Sequence, residues 1–212
     1  IVAIPAKLLT DYQDATHAAR YVRLVETIHS AERNLAPGLE GLAEAVARHA
    51  AKLMAYKDEY EVARLFVSDD FSARLSSQFE GDFKLQFHLA PPLISRRDPL
   101  TGEPRKRAFG PWVMTLFRLL APLKILRGGP FDLFGRTEER RKERQLIADY
   151  FALMEEITTS LTPENHSIAV ALAGVPEKIR GFGPVCQAKT EKRLATGLQY
   201  VFIWSLCIPS FP

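Results

Sequence analysis

A short basic segment is the part of the sequence whose residue types could do chemistry. Between residues 95 and 107, five cations stand beside only two acids, Asp98 and Glu103. Guanidinium groups donate planar paired hydrogen bonds, so the segment could hold a phosphate-bearing ligand or an acidic protein surface. An equally good interpretation is a solvated loop whose arginines pair with acids of neighbouring helices. The candidate residues, with the histidine of the preceding predicted strand, are His88, Arg96, Arg97, Arg105, Lys106 and Arg107.

Other patterns do not predict catalysis or metal binding. The five histidines are dispersed, and the sequence has neither a CxxC pair nor an HExxH motif. Residues 129–137 resemble a phosphate-binding loop, but their glycines are one position too far apart and Arg136 replaces the required lysine. A nucleophile elbow of the GxSxG type does not occur. We therefore predict that this chain contributes no catalytic residue and no metal site.

Paired acids and one helical ion pair have a simpler interpretation. Asp58 and Glu59 are adjacent and would point to different faces of a helix, which indicates solvated charges. Lys57 and Glu61 are four positions apart, and a surface pair at this spacing stabilises a helix by a few tenths of a kcal/mol.

The basic segment must be positioned by the residues on either side of it. Apolar residues occupy every second position from 83 to 89, the period of a half-buried strand. The Asp-Pro-Leu-Thr-Gly sequence at 98–102 is typical of a turn, and residues 106–109 could then pair back as a second strand. The sequence therefore predicts a β-hairpin over residues 82–109.

The sequence predicts helices for most of the chain before this hairpin. Apolar residues recur every three or four positions over 5–33, and again from 39 to about 67. The Pro-Gly turn between the two stretches predicts an antiparallel helical pair. Ser68 or Asp69 is expected to cap a third helix over 70–79.

Helices are also predicted after the hairpin. The stretch that follows Pro111 is apolar on nearly all sides, which indicates an interior helix kinked at Pro122. Thr137 is expected to cap a long amphipathic helix, and shorter helices should follow at about 163–173 and 185–193. The predicted fold is mainly α, an antiparallel helical bundle with one small inserted β-hairpin, or α+β by a strict count. The stripe of the long helix is Leu146, Tyr150, Leu153, Ile157 and Leu161.

Composition places the chain among ordinary globular proteins. Its 212 residues carry a net charge of +3, too small by itself to indicate nucleic acid. Cys186 and Cys207 are the only cysteines, which favours a reducing cytoplasm, and the apolar runs are too short for a membrane span.

The chain begins with Ile1, so we interpret it as a fragment of a longer polypeptide. One domain is predicted over residues 1–195, followed by an uncharged apolar tail at 196–212 that should pack or associate.

Several longer motifs carry a family resemblance over residues 8–193. Together, and in this order, they resemble the C-terminal domain of the fused indolepyruvate ferredoxin oxidoreductases, in the 2-oxoacid ferredoxin oxidoreductase family. The tail after residue 196 departs from that family's pattern. The motifs are LMAYKDEYEVARL at 53–65, QFEGD at 78–82, FHLAPPL at 87–93, DPLTGEPRK at 98–106, FGPW at 109–112, LTPENH at 161–166 and IRGFG at 179–183.

The resemblance implies a parent enzyme that oxidatively decarboxylates aryl-2-oxoacids to acyl-CoA. Such an enzyme uses thiamine diphosphate and iron–sulfur clusters and passes electrons to ferredoxin, and its cofactors belong to other domains. This chain would then be an accessory domain that serves assembly or covers a neighbouring active site. Its partners would be those other domains, with a homo-oligomer left open. The anion at the basic segment would be a coenzyme A phosphate or an acidic domain face.

A binding module of a different class is the alternative. Such a module would use the basic hairpin on nucleic acid or on another anionic partner. Nucleic acid is the less favoured partner, because only Phe109 and Trp112 supply aromatic rings near the cations.

Overall fold

The computed structural model describes residues 2–81, 83–90 and 105–178, most of which are helical. The predicted mainly α fold with a small antiparallel hairpin is confirmed. The helices are α1 (Ala3–Tyr12), α2 (Ala15–Leu35), α3 (Leu42–Met54), α4 (Glu59–Phe66), α5 (Asp69–Gln78), α6 (Val113–Leu120), α7 (Glu138–Ser160) and α8 (His166–Ala173). The strands are β1 (Phe87–Leu89) and β2 (Arg107–Phe109), and 3₁₀ turns cover Ala121–Leu126 and Val175–Lys178.

The chain divides into two compact units. The first unit comprises Ile1–Tyr56 with Arg141–Pro212, and the second comprises Lys57–Arg140. This division does not test the single domain predicted over residues 1–195, which stays a prediction. The predicted helix at 185–193 and the apolar tail at 196–212 lie outside the described residues.

The first unit is a helical bundle with an apolar core. The predicted antiparallel pair corresponds to α2 and α3, which pack against each other. The turn that connects them contains Gly38, whose φ is 83°. The Tyr21 hydroxyl of α2 donates to the carbonyl oxygen of Ala47 in α3 at 3.0 Å. The Tyr150 hydroxyl joins α7 to the end of α8 in the same way, through the carbonyl of Ala173 at 3.0 Å. The fully buried side chains of this core include Leu9, Tyr21, Ile28, Leu42, Val46, Met54, Met154, Ile157 and Leu172.

The two long helices predicted for the N-terminal part of the chain are wrong in one respect. Each is divided into two shorter helices in the structure. The first break falls after Tyr12, where the Asp14 carboxylate accepts from the backbone N–H of His17 at 2.7 Å and starts α2. The second break falls after Met54, and Asp58 starts α4 through the N–H of Glu61 at 2.8 Å. Periodicity continues through both breaks, whereas a capping carboxylate replaces the helical hydrogen bonds there.

The cap at the first break leads to a stability prediction. Replacing Asp14 by alanine should lower the free energy of unfolding by about 1 kcal/mol, because the N–H of His17 loses its acceptor. Urea titration followed by circular dichroism measures the change. Asp14→Asn is the matched control, since asparagine caps comparably well. Equal destabilisation by both substitutions would show that the cap is not the source.

The second unit is built on a small aromatic core. Phe66 of α4 stacks on Phe117 of α6 with 5.2 Å between ring centroids, and it meets Phe87 of β1 edge-on at 5.2 Å. The hairpin is antiparallel, and among its described residues 87–89 pair with 107–109, a shorter pairing than predicted. Residues 83–86 are not part of a strand, so the first half of the predicted strand does not join the sheet, and Phe83 is exposed.

The interior position predicted for the helix after Pro111 is wrong. Only Val113 and Phe117 of α6 are buried, whereas Leu116 and Leu119 are exposed. The helix carries apolar residues on nearly all of its faces. A unit this small has too few other elements to cover more than one of those faces. The irregularity predicted at Pro122 is present as a 3₁₀ turn that continues α6.

The caps and the stripe predicted for the later helices are largely confirmed. Ser68, rather than Asp69, caps α5 by accepting from the N–H of Phe71 at 3.3 Å. Thr137 accepts from the N–H of Arg140 at 3.3 Å. Along α7 and just beyond it, Tyr150, Ile157 and Leu161 are buried as predicted. The other buried positions are Ile147 and Met154 rather than Leu146 and Leu153.

Candidate functional site

Three of the predicted anion-binding cations are consecutive residues of the second unit. Arg105, Lys106 and Arg107 are exposed, the last of them opening β2. Arg96 and Arg97 lie outside the described residues, so the clustering of all five cations stays a prediction. The structure therefore offers three consecutive exposed cations as the testable part of the basic segment.

The strand register places the side chains of His88 and Arg107 on opposite faces of the sheet. His88 pairs with Ala108, and Leu89 pairs with Arg107. Residues directly opposite each other share a face of the sheet, and faces alternate along a strand. The exposed side chain of His88 therefore lies on the face opposite to that of Arg107. The two residues do not form one binding site across the sheet.

An open groove of about 370 Å³ lies beside the hairpin in the second unit. Its walls come from α4, both strands and α6, and they are almost entirely apolar. Leu89 and Phe109 line it, so the strand face that carries Arg107 is the groove face. A volume of this size falls in the range of sites that hold a small ligand or a protein side chain. The lining residues are Lys57, Asp58, Glu59, Val62, Leu89, Ala90, Phe109, Trp112, Val113, Leu116, Phe117, Leu120 and Phe134.

A stripe of exposed apolar side chains continues from this groove. Trp112, Leu116, Leu119 and Leu123 recur at spacings of three and four, and they are 58, 50, 65 and 42% exposed. In an α-helix, residues at these spacings share one face, and Leu123 follows in the 3₁₀ turn that continues α6. We call this set the apolar stripe. Its first two members line the groove. A contiguous exposed apolar patch on a protein commonly marks a surface that binds a partner or a ligand.

A buried ionic network supports one end of the groove. The Arg127 guanidinium donates to the two carboxylate oxygens of Asp58 at 2.6 and 2.9 Å and lies 5.7 Å from the centre of the Tyr60 ring. The Tyr60 hydroxyl donates to Asp132 at 3.3 Å. Burial and the neighbouring Asp132 carboxylate raise the pKa of Tyr60 to about 12. These groups satisfy one another, so the network holds the loop after α6 against α4.

The predictions for Asp58 and Glu61 are therefore wrong. Asp58 is buried rather than solvated, and Glu61 pairs with Arg64 through two contacts of 2.7 Å rather than with Lys57. The signal that could have revealed Asp58 is its spacing from Glu61, since an acid followed three residues later by glutamate before an apolar run resembles a capping box. Its partner Arg127 lies 69 positions away, and no local pattern connects them.

Glu59 is the titratable group of the groove with a perturbed protonation equilibrium. Burial raises the pKa of the Glu59 carboxyl, and the attraction of Arg140, whose guanidinium lies 3.5 Å away, opposes this only in part. The second carboxylate oxygen has no hydrogen-bond partner among the described residues. The other acid of the groove lining, Asp58, is ion-paired with Arg127, and in the described part of the chain the lining contains no serine, threonine, cysteine or histidine.

Comparison with known proteins places the chain in a family. A profile described as Family of unknown function (DUF6537) matches residues 1–196. The chain belongs to this family. No curated protein and no solved structure matches it.

The described part of this family member has neither a metal-binding cluster nor a membrane-spanning helix. Within residues 2–81, 83–90 and 105–178, no group of three or more histidine, cysteine, aspartate or glutamate side chains is arranged to hold a metal ion. Among the same residues, no helix is long and apolar enough to cross a membrane.

A second buried polar cluster lies in the first unit of the family member. Glu32 of α2 accepts from the backbone N–H groups of Leu42 and Ala43 at 2.7 and 3.0 Å, which open α3. Nε2 of His166, in α8, lies 2.8 Å from the same carboxylate. Burial by itself would raise the pKa of Glu32, but the contacts with His166, Ala43 and Leu42 outweigh it and lower the pKa. The cluster ties three helices together and caps one of them.

Proposed function

We propose that this chain is an accessory domain of a thiamine-diphosphate-dependent 2-oxoacid ferredoxin oxidoreductase of the indolepyruvate type. It serves assembly or covers a neighbouring active site, and the chemistry belongs to other domains. The sequence motifs at 53–65 and 98–106 support the family of the parent enzyme. The apolar stripe and groove, beside exposed cations, are the observation that supports a contact role.

The proposal assigns cofactors and partners to the parent polypeptide. Thiamine diphosphate, iron–sulfur clusters and coenzyme A would be bound by its other domains, and ferredoxin would accept the electrons in the cytoplasm. The partners of the present chain would be those domains. The exposed Arg105, Lys106 and Arg107 would face coenzyme A phosphates or an acidic domain surface.

Nucleic acid binding is the competing function, and the geometry favours it less. Single-stranded nucleic acid binders stack bases on exposed aromatic rings beside their cations. Here Phe109 is half-buried in the groove wall, and its ring meets the Trp112 ring edge-on at 6.0 Å. Phe109, the aromatic residue nearest the cations in the sequence, is therefore part of the groove wall rather than an exposed stacking platform.

An activity assay tests the proposed function. The natural polypeptide that contains this chain, purified and supplied with thiamine diphosphate and iron–sulfur clusters, should reduce ferredoxin when given an arylpyruvate and coenzyme A. Omission of coenzyme A or of the arylpyruvate provides the matched blanks. A reconstituted polypeptide that reduces ferredoxin with none of several arylpyruvates contradicts the proposal.

The basic hairpin should affect activity rather than stability. Replacing Arg105, Lys106 and Arg107 by alanine should leave the melting temperature within about 2 °C, since exposed charges contribute little to stability. The same change should lower ferredoxin reduction or the assembled fraction of the parent polypeptide several-fold.

An exposed cation of the first unit supplies the control for this prediction. Arg23→Ala on α2 should alter neither the melting temperature nor the activity. If the triple variant instead loses a few kcal/mol of unfolding free energy, the three side chains are structural ion-pair partners and the binding role is wrong.

A further inference from the structure

The stretch of sequence that contains the apolar stripe carries charge of one sign. From residue 105 to residue 131 the sequence contains six cations and no acid. Arg127 is neutralised within the unit by Asp58. The cations of this stretch are Arg105, Lys106, Arg107, Arg118, Lys124 and Arg127.

One cation lines the groove, and a second lies on the same face of the sheet. Lys57 lines the groove and is exposed, and Arg107 lies on the strand face shared by the groove residues Leu89 and Phe109. The acids that line the groove are engaged inside the unit, Asp58 by Arg127 and Glu59 by Arg140. The rim therefore presents net positive charge to an incoming partner.

The apolar surface is longer than a small-molecule site. Trp112 and Leu116 belong to the groove, but Leu119 and Leu123 extend the exposed stripe by about two further turns. A small ligand would fill the groove and leave the rest of the stripe in water. A protein segment would cover both and insert one side chain into the groove as its anchor.

We propose that the groove and the apolar stripe bind a protein segment with an aromatic or leucine anchor flanked by carboxylates. The anchor fills the groove between the hairpin and α6, and the carboxylates lie against Lys57 and Arg107. A second copy of this chain does not fit, because a two-fold contact would bring the same cations together without acids. This inference rests on the proposed function, in which the segment belongs to another domain of the parent polypeptide.

Photo-crosslinking in the natural polypeptide tests the occupant. A p-benzoyl-phenylalanine in place of Leu116 should crosslink to a peptide that contains an aromatic or leucine residue with Asp or Glu within a few positions. The same probe in place of Leu35, an exposed leucine at the end of α2, is the control and should give much less product. Circular dichroism should show both probe-bearing proteins folded, because the replaced side chains are exposed.

Charge reversal tests the rim. Lys57→Glu with Arg107→Glu should lower the crosslink yield at position 116 about tenfold, as expected for the loss of two partly exposed ion pairs. Arg33→Glu, an exposed site in the first unit, should leave the yield unchanged. The inference is overturned if the yield matches that at position 35, if charge reversal does not change it, if the captured peptide has no acids, or if the product joins position 116 of two copies.

The origin of the captured peptide separates this inference from the proposed function. An acidic, apolar peptide from a thiamine-dependent oxidoreductase supports both. A peptide of the same chemistry from an unrelated protein supports the docking surface and contradicts the proposed function. Ferredoxin reduction by the natural polypeptide without such a crosslink supports the proposed function and overturns the docking surface.

Discussion

Replacing Arg127 by methionine should lower the free energy of unfolding by about 3–5 kcal/mol. Its guanidinium and the Asp58 carboxylate are almost completely buried and are 2.6 Å apart at their closest. Removal of the cation leaves a buried carboxylate without its charge partner, and the loop after α6 loses its attachment to α4. Denaturant titration of the isolated chain, followed by tryptophan fluorescence, measures the change.

An exposed ion pair in the same unit is the control for this experiment. Arg74 and Asp70 of α5 are 2.9 Å apart but mostly solvent-exposed, so Arg74→Ala should cost less than about 1 kcal/mol. The double variant Asp58→Ser with Arg127→Met should be more stable than Arg127→Met alone, because serine keeps the helix cap without a buried charge. A loss from Arg127→Met no larger than that from Arg74→Ala would contradict this role for the buried pair.

Replacing Glu32 by alanine should also be strongly destabilising, by about 3 kcal/mol or more. The backbone N–H groups of Leu42 and Ala43 lose their acceptor, and His166 loses its carboxylate partner. Glu32 is only 4% exposed, so its three contacts are made largely out of water. Thermal unfolding at pH 7, monitored by circular dichroism, should show the loss.

The same carboxylate should make stability depend on pH. Because the folded state lowers the pKa of Glu32 from its ordinary value of 4.5, the unfolded state takes up a proton first as the pH falls. The stability that Glu32 contributes is therefore fully present above about pH 4.5 and is lost as the pH falls through the folded pKa.

Substitution by glutamine isolates this contribution. Between pH 6 and pH 3 the unfolding free energy of Glu32→Gln should fall less steeply than that of the unaltered chain. Glu26→Gln, an exposed site on the same helix, supplies the reference for the other acids. Parallel curves for the unaltered chain and Glu32→Gln would show that Glu32 does not carry the acid sensitivity.

Local features of this fold could be predicted from the sequence. Ser68 and Thr137 act within three residues of their own position, so a cap can be recognised from the residue type and the pattern that follows. The hairpin strands are also local, since the apolar alternation that ends at Leu89 indicates a strand there and β1 pairs with β2. Periodicity found the helices but not the break at Asp14, because it reports which face is apolar and not where the backbone leaves the helix.

Features that depend on distant residues could not be predicted. Glu32 and His166 are 134 positions apart, and neither belongs to a local motif that would indicate a contact. The exposed face of α6 was missed for a related reason. Its apolar residues predict burial, but burial depends on whether another element covers them, and a single sequence does not show this. The groove beside the hairpin depends on that same uncovered face.

Ferredoxin reduction by the natural polypeptide with a single charge placed on the apolar stripe tests the accessory role most directly. The variant Leu116→Glu should keep its thiamine diphosphate and iron–sulfur content but lose about tenfold or more in arylpyruvate-dependent activity, because a buried carboxylate at the contact would separate the domains. Leu35→Glu, at a similarly exposed leucine of the first unit, should retain full activity. Equal activity of the two variants, or cofactor loss that accounts for the deficit of Leu116→Glu, would contradict an accessory domain that acts through this surface.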